Sequence, residues 1–386
     1  MTIKAKKEGF KNIYVPMENA AEGSVVKGIN VYPVKDLYSL IDHLRGNKKL
    51  MPLTFTRELY KSELVVPDFS EVKGQRHAKR ALEIVASGGH NIILVGPPGS
   101  GKSMLAKRLP GILPDMTFEE SIETTQIHSI AGTLKEPLIT VRPFRSPHHT
   151  ISSHGLSGGG AVPKPGEISL AHNGVLFLDE LPEFTRTSLE VLRQPLEDGS
   201  VNISRVYGSA SYPCNIILVA AMNPCPCGNF GSPNQKCTCS PTAVSKYLSK
   251  ISSPLLDRID MHVEVPPVDF NMLNSKEKEE SSEEIKKRVN KARKIQLERY
   301  KGTAVLCNAD ASTALIKEKA EITPAAEALL SKAFEKFGFS ARAYDKVVKV
   351  ARTIADLAGS EKIEPKHMAE AVQYRSLDRK YWQREL

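Results

Sequence analysis

The segment that most constrains this chain is an octapeptide of the form G-x-x-x-x-G-K-S, residues 96–103. It follows the apolar run Asn91-Ile92-Ile93-Leu94-Val95 and precedes residues 104–108, which suit a helix. A buried strand that leads through a glycine-rich turn into a helix binds phosphates, because backbone N–H groups and the positive end of the helix dipole converge there. The sequence therefore predicts a nucleotide-binding α/β domain. The alternative interpretation is an ordinary glycine-rich turn.

The residues of this loop have separate expected roles. Lys102 is expected to reach the β- and γ-phosphates, and the Ser103 hydroxyl is expected to bind Mg²⁺. The other positions supply backbone that surrounds the phosphates. These positions are Gly96, Pro97, Pro98, Gly99, Ser100 and Gly101.

Two further apolar runs end in polar residues that suit phosphate chemistry. Residues 175–178 lead into Asp179 and Glu180, and residues 216–222 lead into Asn223. We expect Asp179 to hold the magnesium shell and Glu180 to polarise the attacking water. Asn223 is expected to contact the γ-phosphate or that water. The alternatives are solvated acids at a strand end and an ordinary Asn-Pro turn.

Two arginines are candidates to neutralise the charge that develops during phosphoryl transfer. Arg258 lies in the sequence Leu255-Leu256-Asp257-Arg258-Ile259-Asp260 and is expected to reach the nucleotide of an adjacent subunit. A surface ion pair with Asp257 or Asp260 is the alternative. Arg342 follows Ser340-Ala341 at a predicted helix start, from which it would reach the γ-phosphate.

Composition narrows the class of protein. With 41% hydrophobic and 25% charged residues, the chain is expected to fold as a globular protein. It has neither an apolar stretch of membrane-spanning length nor the apolar core of a signal peptide, so we expect a cytoplasmic location and no membrane partner. The formal charge of +9 favours an anionic partner besides the nucleotide, and nucleic acid is a candidate.

The pattern along the chain predicts an α/β core with flanking parts. Residues 1–50 are expected to form a short α/β piece, and residues 51–67 a linker. Residues 68–270 alternate apolar runs with helical or glycine-rich segments, which predicts a parallel sheet covered on both faces. Residues 271–386 are predominantly helical in pattern and are expected to form a lid domain.

Two segments are predicted to project from the core. Residues 142–166 make a long insertion before the Asp-Glu strand, and the alternation in residues 201–211 predicts a β-hairpin. Alternatives are a metal site at His148, His149 and His154, interface packing, and an ordinary solvated hairpin. The candidates for contacts with a DNA backbone are Arg142, Arg145, His148, His149, Lys164, Arg205 and Tyr207.

Four of the six cysteines form two C-x-C pairs within residues 225–239. Four thiolates at such spacing can close a tetrahedral Zn²⁺ site, although C-x-x-C pairs are the more usual arrangement. The alternatives are reduced, unligated thiols and a redox function. The candidate ligands are Cys225, Cys227, Cys237 and Cys239, whereas Cys214 and Cys307 are expected to pack as small apolar residues.

The ordered set of phosphate loop, Asp-Glu strand, Asn, Arg258 and Arg342 resembles that of AAA+ ATPases with a P-loop core. More narrowly, the chain resembles the magnesium-chelatase-like family of competence protein ComM, also called YifB. The resemblance runs from the first residues to the last. The phrases that carry it lie at residues 69–75, 142–150, 164–180 and 223–228.

This resemblance implies an ATPase that uses ATP and Mg²⁺ and assembles into a hexameric ring, with Arg258 contributed by a neighbouring subunit. It implies a helicase-like motor that drives branch migration of single-stranded, forked or junction DNA during recombination in natural transformation. The segment 142–166 would then be a hairpin directed toward the ring pore. Residues 1–50 would be the last part of a Lon-protease-like domain, which is otherwise missing.

Two other functions stay open at this point. One is a magnesium-chelatase motor subunit, which remodels a protein partner that inserts magnesium into a porphyrin. The other is a transcription activator that remodels polymerase, but the sequence shows no helix-turn-helix pattern that such a protein would need.

Overall fold

The computed structural model describes residues 1–53, 66–205, 208–231, 235–268, 272, 278–377 and 381–382. Two compact units are present. The first contains Met1–Leu64 and Met116–Val141, and the second contains Val65–Asp115 and Arg142–Leu386.

The helices and strands are numbered in their order along the chain. The helices are α1 (Thr2–Lys7), α2 (Met17–Ser24), α3 (Leu37–Leu44), α4 (Arg76–Gly88), α5 (Lys102–Ile112), α6 (Phe118–Ala131), α7 (Ser153–Ser157), α8 (Glu167–Leu170), α9 (Arg186–Glu190), α10 (Pro195–Asp198), α11 (Pro241–Leu248), α12 (Ser253–Leu256), α13 (Ser282–Arg299), α14 (Thr313–Lys319), α15 (Pro324–Phe337), α16 (Ala341–Leu357) and α17 (Pro365–Gln373). The strands are β1 (Asn12–Pro16), β2 (Asn30–Val34), β3 (Ile92–Val95), β4 (Phe144–Arg145), β5 (Gly158–Gly159), β6 (Lys164–Pro165), β7 (Gly174–Leu178), β8 (Ser200–Arg205), β9 (Gly208–Pro213), β10 (Ile216–Met222) and β11 (Met261–Glu264).

The first unit contains a parallel pair of strands, β1 and β2, with Ile13 opposite Val31. Its apolar core is small and includes Val26, Ile29 and Val31. Helix α6 belongs to this unit, although the predicted core, residues 68–270, includes its sequence. Thr117 and Glu120 form a capping box at the start of this helix, a local feature that does not specify the partner against which the helix packs.

A five-stranded parallel sheet forms the centre of the second unit, in the order β11-β3-β10-β7-β4. Successive residues of a strand enter two different cores. Ile92 and Leu94 belong to one apolar core, and Ile93 and Val95 belong to the other. This alternation explains why β3 is apolar at every position, because both faces of the sheet are covered.

The C-terminal part is helical, from α13 to α17. Helix α15 begins at Pro324, and Thr323 caps it by accepting a hydrogen bond from the N–H of Ala326. Arg352 is fully buried in α16 and donates hydrogen bonds to Asp356 and to backbone carbonyl groups. The predicted α/β core with a parallel sheet and a helical C-terminal part is confirmed. None of the described helices is both long and apolar enough to cross a membrane.

Among the described residues, two antiparallel strand pairs lie outside the main sheet. The pair β8–β9 coincides with the hairpin predicted at residues 201–211. The segment 142–166 has a more complex structure than a single hairpin: it starts in β4 at the edge of the sheet, continues through α7, and only then forms the short pair β5–β6.

Candidate active site

Three neighbouring strands end directly before the predicted site residues. These residues therefore lie where the carboxyl ends of the strands meet, which is called the carboxyl edge of the sheet. Strand β3 leads into the phosphate loop, β10 leads into Asn223, and β7 leads into Asp179. Met222 is paired with Val95 across β10 and β3. Since all three strands are parallel, their carboxyl ends form a common rim, which is where ligands bind in such sheets.

The phosphate loop has features that fit a phosphate group. Gly96 approaches Val265, which directly follows strand β11, so closely that a Cβ atom would lie 2.2 Å from the carbonyl oxygen of Val265. The Ser100 hydroxyl is buried and finds no hydrogen-bond partner in the described part of the chain. Helix α5 begins at Lys102, so the free N–H groups of its first turn and its dipole face the loop.

Lys102 folds back onto the phosphate loop. Its Nζ donates to the carbonyl oxygens of Gly96 and Pro97, at 2.7 and 2.8 Å, and to Oδ1 of Asn223 at 3.3 Å. Only 7% of Lys102 is exposed. Burial lowers the pKa of the Lys102 ammonium to about 8, against the opposing attraction of Asp179 and Glu180. A bound polyanion would strongly stabilise the charged form of such a buried lysine.

The two predicted magnesium ligands are in direct contact. The Ser103 hydroxyl donates to Oδ2 of Asp179 at 2.5 Å. A hydroxyl and a carboxylate are the hard oxygen donors that Mg²⁺ prefers. The donor set therefore fits a magnesium ion.

Glu180 follows directly in a strained conformation, with φ of 52°. Its N–H donates to Oδ1 of Asp179 at 3.0 Å. Its Oε2 lies 3.3 Å from Nδ1 of His149, and the His149 ring packs against the ring of His148 with their centres 4.1 Å apart. The inserted segment thus contacts the predicted water-activating acid, a link that sequence spacing does not reveal.

Arg258 lies at the opposite edge of the sheet, where the strands begin, which is called the amino edge. Its Nε donates to the carbonyl of Arg193 at 2.9 Å and its Nη1 to that of Pro254 at 2.7 Å, while Nη2 pairs with Glu197. The acidic partner is therefore neither Asp257 nor Asp260.

Arg342 lies at this same amino edge. Its Nη1 is 3.9 Å from Oδ2 of Asp257, and its side chain is 64% exposed. Arg342 and Arg258 both line an open cleft of about 930 Å³, together with Asn91 and Ile216 at the starts of β3 and β10. Within one chain, both arginines are thus separated from the phosphate loop by the length of a strand.

Asn91 joins the Arg258 segment to the central sheet. Its Nδ2 donates to the carbonyl of Arg258 at 3.1 Å, and its Oδ1 accepts from the N–H of Leu218 at 2.8 Å. Its own N–H donates to Oδ2 of Asp260 at 2.9 Å. Asp260 also pairs with Lys346, which holds the pKa of the Asp260 carboxyl well below its usual range despite burial.

The predicted DNA contacts differ in their surroundings, and His149, as described above, contacts Glu180. Arg142 donates to carbonyl oxygens of Pro114 and Asn173, at 2.6 and 2.8 Å, and Arg145 makes two bonds of 2.6 Å to Glu167, so both already have internal partners. Lys164 and His148 are exposed, and His148 contacts Thr150 at 2.9 Å. The side chain of Arg205 and all of Tyr207 lie outside the described residues.

The four clustered cysteines come together beside this site. Their four Sγ atoms all lie within 4.8 Å of one another. Hydrogen bonds from the backbone N–H groups of Asn229 and Thr238 lower the pKa of the Cys227 thiol, whereas burial raises the pKa of the Cys225 thiol to about 12.

Comparison with known proteins identifies the wider group. Residues 68–273 match the family model of magnesium chelatase, subunit ChlI, and residues 279–375 match that of the ChlI C-terminal region. Competence protein ComM of Haemophilus influenzae is 42% identical over 385 residues, which are 98% of this chain and 74% of that protein. YifB of Escherichia coli is 41% identical over 377 residues, 97% of this chain and 73% of that protein. The magnesium-chelatase 67 kDa subunit of Chlorobaculum parvum is 28% identical over 162 residues, 40% of this chain and 23% of that protein.

Proposed function

Because this chain belongs to the magnesium chelatase subunit ChlI family, and is similar to ComM over nearly its whole length, we propose that it is an ATP-hydrolysing motor that remodels DNA. Its reaction would be hydrolysis of ATP in a hexameric ring. Its output would be branch migration or unwinding of single-stranded, forked or junction DNA, as in recombination of incoming DNA during natural transformation.

The separation of the site residues carries this proposal. Lys102, Ser103 and Asp179 lie at the carboxyl edge of the sheet, whereas Arg258 and Arg342 lie at the amino edge beside an open cleft. A single chain therefore presents two half sites. A ring in which the amino edge of one subunit meets the carboxyl edge of the next completes both halves, and both arginines would then act on the neighbour's nucleotide.

Each residue of the completed site has a defined task. Lys102 would leave the carbonyl groups of Gly96 and Pro97 to hold the terminal phosphates, and Ser103 with Asp179 would hold Mg²⁺, which neutralises phosphate charge when bound. Glu180 would orient and deprotonate the attacking water, and Asn223 would position it. Arg258 must release Glu197 before it can reach across the interface, which gives the ring an inactive resting state.

The proposed action on DNA rests on charge and on the contact between His149 and Glu180. The chain carries a formal charge of +9, and a sequence-independent DNA motor needs cations for the phosphate backbone. Exposed Lys164 and His148, together with the β8–β9 hairpin, are candidates for this contact. Because His149 of the inserted segment holds Glu180 at 3.3 Å, a movement of that segment on DNA would move the acid.

The test is ATP hydrolysis by the purified chain with and without a four-way DNA junction, combined with strand exchange of a labelled junction. We expect stimulation by DNA and junction movement that requires ATP. The Glu180→Gln variant is the matched control, since it should bind the junction without moving it. If no DNA stimulates the ATPase, the proposal is wrong.

A magnesium-chelatase motor is the second candidate. The match to the ChlI family model favours it, since such a subunit uses the same core on a protein partner. ATP hydrolysis that ignores DNA but rises with a porphyrin-metallating partner would support this function instead.

A further inference from the structure

We propose that Cys225, Cys227, Cys237 and Cys239 bind one Zn²⁺ ion, and that this ion fixes the position of the phosphate loop. The first part concerns a metal site. The second part rests on the nucleotide site proposed above, and it connects a structural ion to nucleotide affinity.

The sulfur positions suit tetrahedral coordination. Zinc–sulfur bonds of about 2.3 Å place the sulfurs of a tetrahedral site about 3.8 Å apart. The Sγ of Cys225 lies 3.4 Å from that of Cys227 and 3.7 Å from that of Cys237, and the Sγ atoms of Cys227 and Cys237 are 3.5 Å apart. These separations exceed the roughly 2.05 Å of a disulfide bond, so the thiols are arranged around a point rather than paired.

The surroundings of the cluster also suit a structural ion. Cys225 is fully buried, and the other three are partly buried. The backbone N–H of Phe230 donates to Sγ of Cys225 at 3.3 Å, a type of contact that orients a thiolate ligand from outside the coordination sphere. Four protein ligands leave no open position for a substrate, as is typical of structural zinc.

The cluster touches the phosphate loop through Gly228. This residue directly follows Cys227 and has a φ of +82°. A Cβ atom at Gly228 would lie 2.4 Å from Cδ and 2.9 Å from Cγ of Pro98, so the backbone there packs directly on the loop. Only glycine permits this contact.

The cluster has a second connection to the nucleotide site along the chain. Asn223 precedes Cys225 by two residues and accepts a hydrogen bond from Lys102. The chain from Asn223 to Gly228 therefore contacts Lys102 at one end and Pro98 at the other, and two of the proposed ligands lie between them. Without the ion, both contacts would lose the anchor that Cys237 and Cys239 provide.

The experiment measures zinc and nucleotide affinity separately in the full chain. Zinc is quantified by elemental analysis after purification under reducing conditions, and Co²⁺ is substituted to give the spectrum of tetrahedral thiolate coordination. Binding of a labelled, non-hydrolysable ATP analogue is then compared between the wild type and Cys237→Ser. The matched control is Cys214→Ala, which changes a buried cysteine outside the cluster.

We expect one zinc per wild-type chain and per Cys214→Ala chain, and none in Cys237→Ser. Nucleotide binding should weaken about tenfold in Cys237→Ser, comparable to one lost hydrogen bond to a charged phosphate oxygen. Removing zinc from the wild type with a chelator should have the same effect, and adding zinc back should reverse it, which excludes misfolding as the cause.

A second variant tests the contact itself. Gly228→Ala keeps all four cysteines, so it should retain zinc while weakening nucleotide binding. Reduced wild-type protein without zinc would overturn the metal site. Zinc-free Cys237→Ser that binds nucleotide like the wild type would overturn the link, whereas a wild type with zinc but without nucleotide binding would refute the proposed function and leave the metal site intact.

Discussion

The low pKa of Lys102 predicts that nucleotide binding depends on pH above neutrality. In the free protein, burial lowers this pKa from 10.5 to about 8. At 1.36 kcal/mol per unit, the charged form is disfavoured by about 3 kcal/mol. Bound phosphates supply negative charge, which restores the pKa toward its ordinary value. Binding should therefore take up a proton between pH 8 and about 10.5.

The magnitude follows from the protonated fraction of the free protein. With a pKa of about 8, roughly nine-tenths of the Lys102 side chains carry a charge at pH 7 and roughly one-tenth at pH 9. Nucleotide affinity should thus fall about tenfold from pH 7 to pH 9, and about half a proton should be taken up per nucleotide at pH 8. The free energy of unfolding of the free protein should change with pH in the opposite direction. The unfolded state binds more protons in this window, so unfolding becomes less favourable as pH rises.

The assay is calorimetric titration with a magnesium-bound, non-hydrolysable ATP analogue at pH 7, 8 and 9, in two buffers of different ionisation enthalpy. Lys107→Ala is the matched control, because Lys107 is exposed on the same helix and should leave the pH dependence unchanged. Lys102→Ala should bind weakly and lose the proton uptake. Equal wild-type affinity at pH 7 and pH 9 would refute the reasoning, as would an equally steep decline in Lys102→Ala.

Three further predictions concern other parts of the site. Glu180→Gln should keep nucleotide affinity and lose at least about a hundredfold in ATPase rate, because only base catalysis is removed; an unchanged rate would exclude Glu180 as the base. Arg258→Ala should bind nucleotide normally and hydrolyse it about a thousandfold more slowly, and mixing it with Lys102→Ala should restore activity, since the two variants have complementary half sites; a mixture without activity would contradict a shared site. Arg145→Ala should lower the free energy of unfolding by about 2 kcal/mol, because Glu167 loses its partner, whereas exposed Lys164→Ala should not; equal melting temperatures would contradict a structural role for Arg145.

Local sequence was sufficient to predict the elements that hold the site. Residues 92–95, 174–178 and 216–222 form strands of the central sheet. Because both faces of this sheet are covered, these strands are apolar and can be recognised in the sequence as short apolar runs. The glycine, lysine and serine of the phosphate loop have few alternative uses at that spacing. Their positions at the carboxyl edge then follow from the parallel arrangement of the strands.

Contacts between distant segments could not be predicted in the same way. Glu197 lies 61 residues before Arg258, and nothing in the spacing distinguishes it from Asp257 or Asp260 as the partner. The internal partners of Arg142 and Arg145 could not be predicted from the sequence for the same reason. In a basic segment, the sequence does not distinguish an arginine that binds DNA from one that binds a carbonyl group. The grouping of α6 with the N-terminal unit likewise depends on packing rather than on pattern.

The shortness of β3 determines how neighbouring sites in the proposed ring would communicate. Its four buried residues span about 13 Å at 3.3 Å per residue. The phosphate loop starts at one end, and Asn91 holds the Arg258 backbone at the other. Each subunit would thus act as a stiff spacer between two nucleotides. A displacement caused by hydrolysis at the phosphate loop would pass directly to Arg258 at the other end of the strand. The order in which the sites of the ring hydrolyse ATP would therefore be set without a hinge.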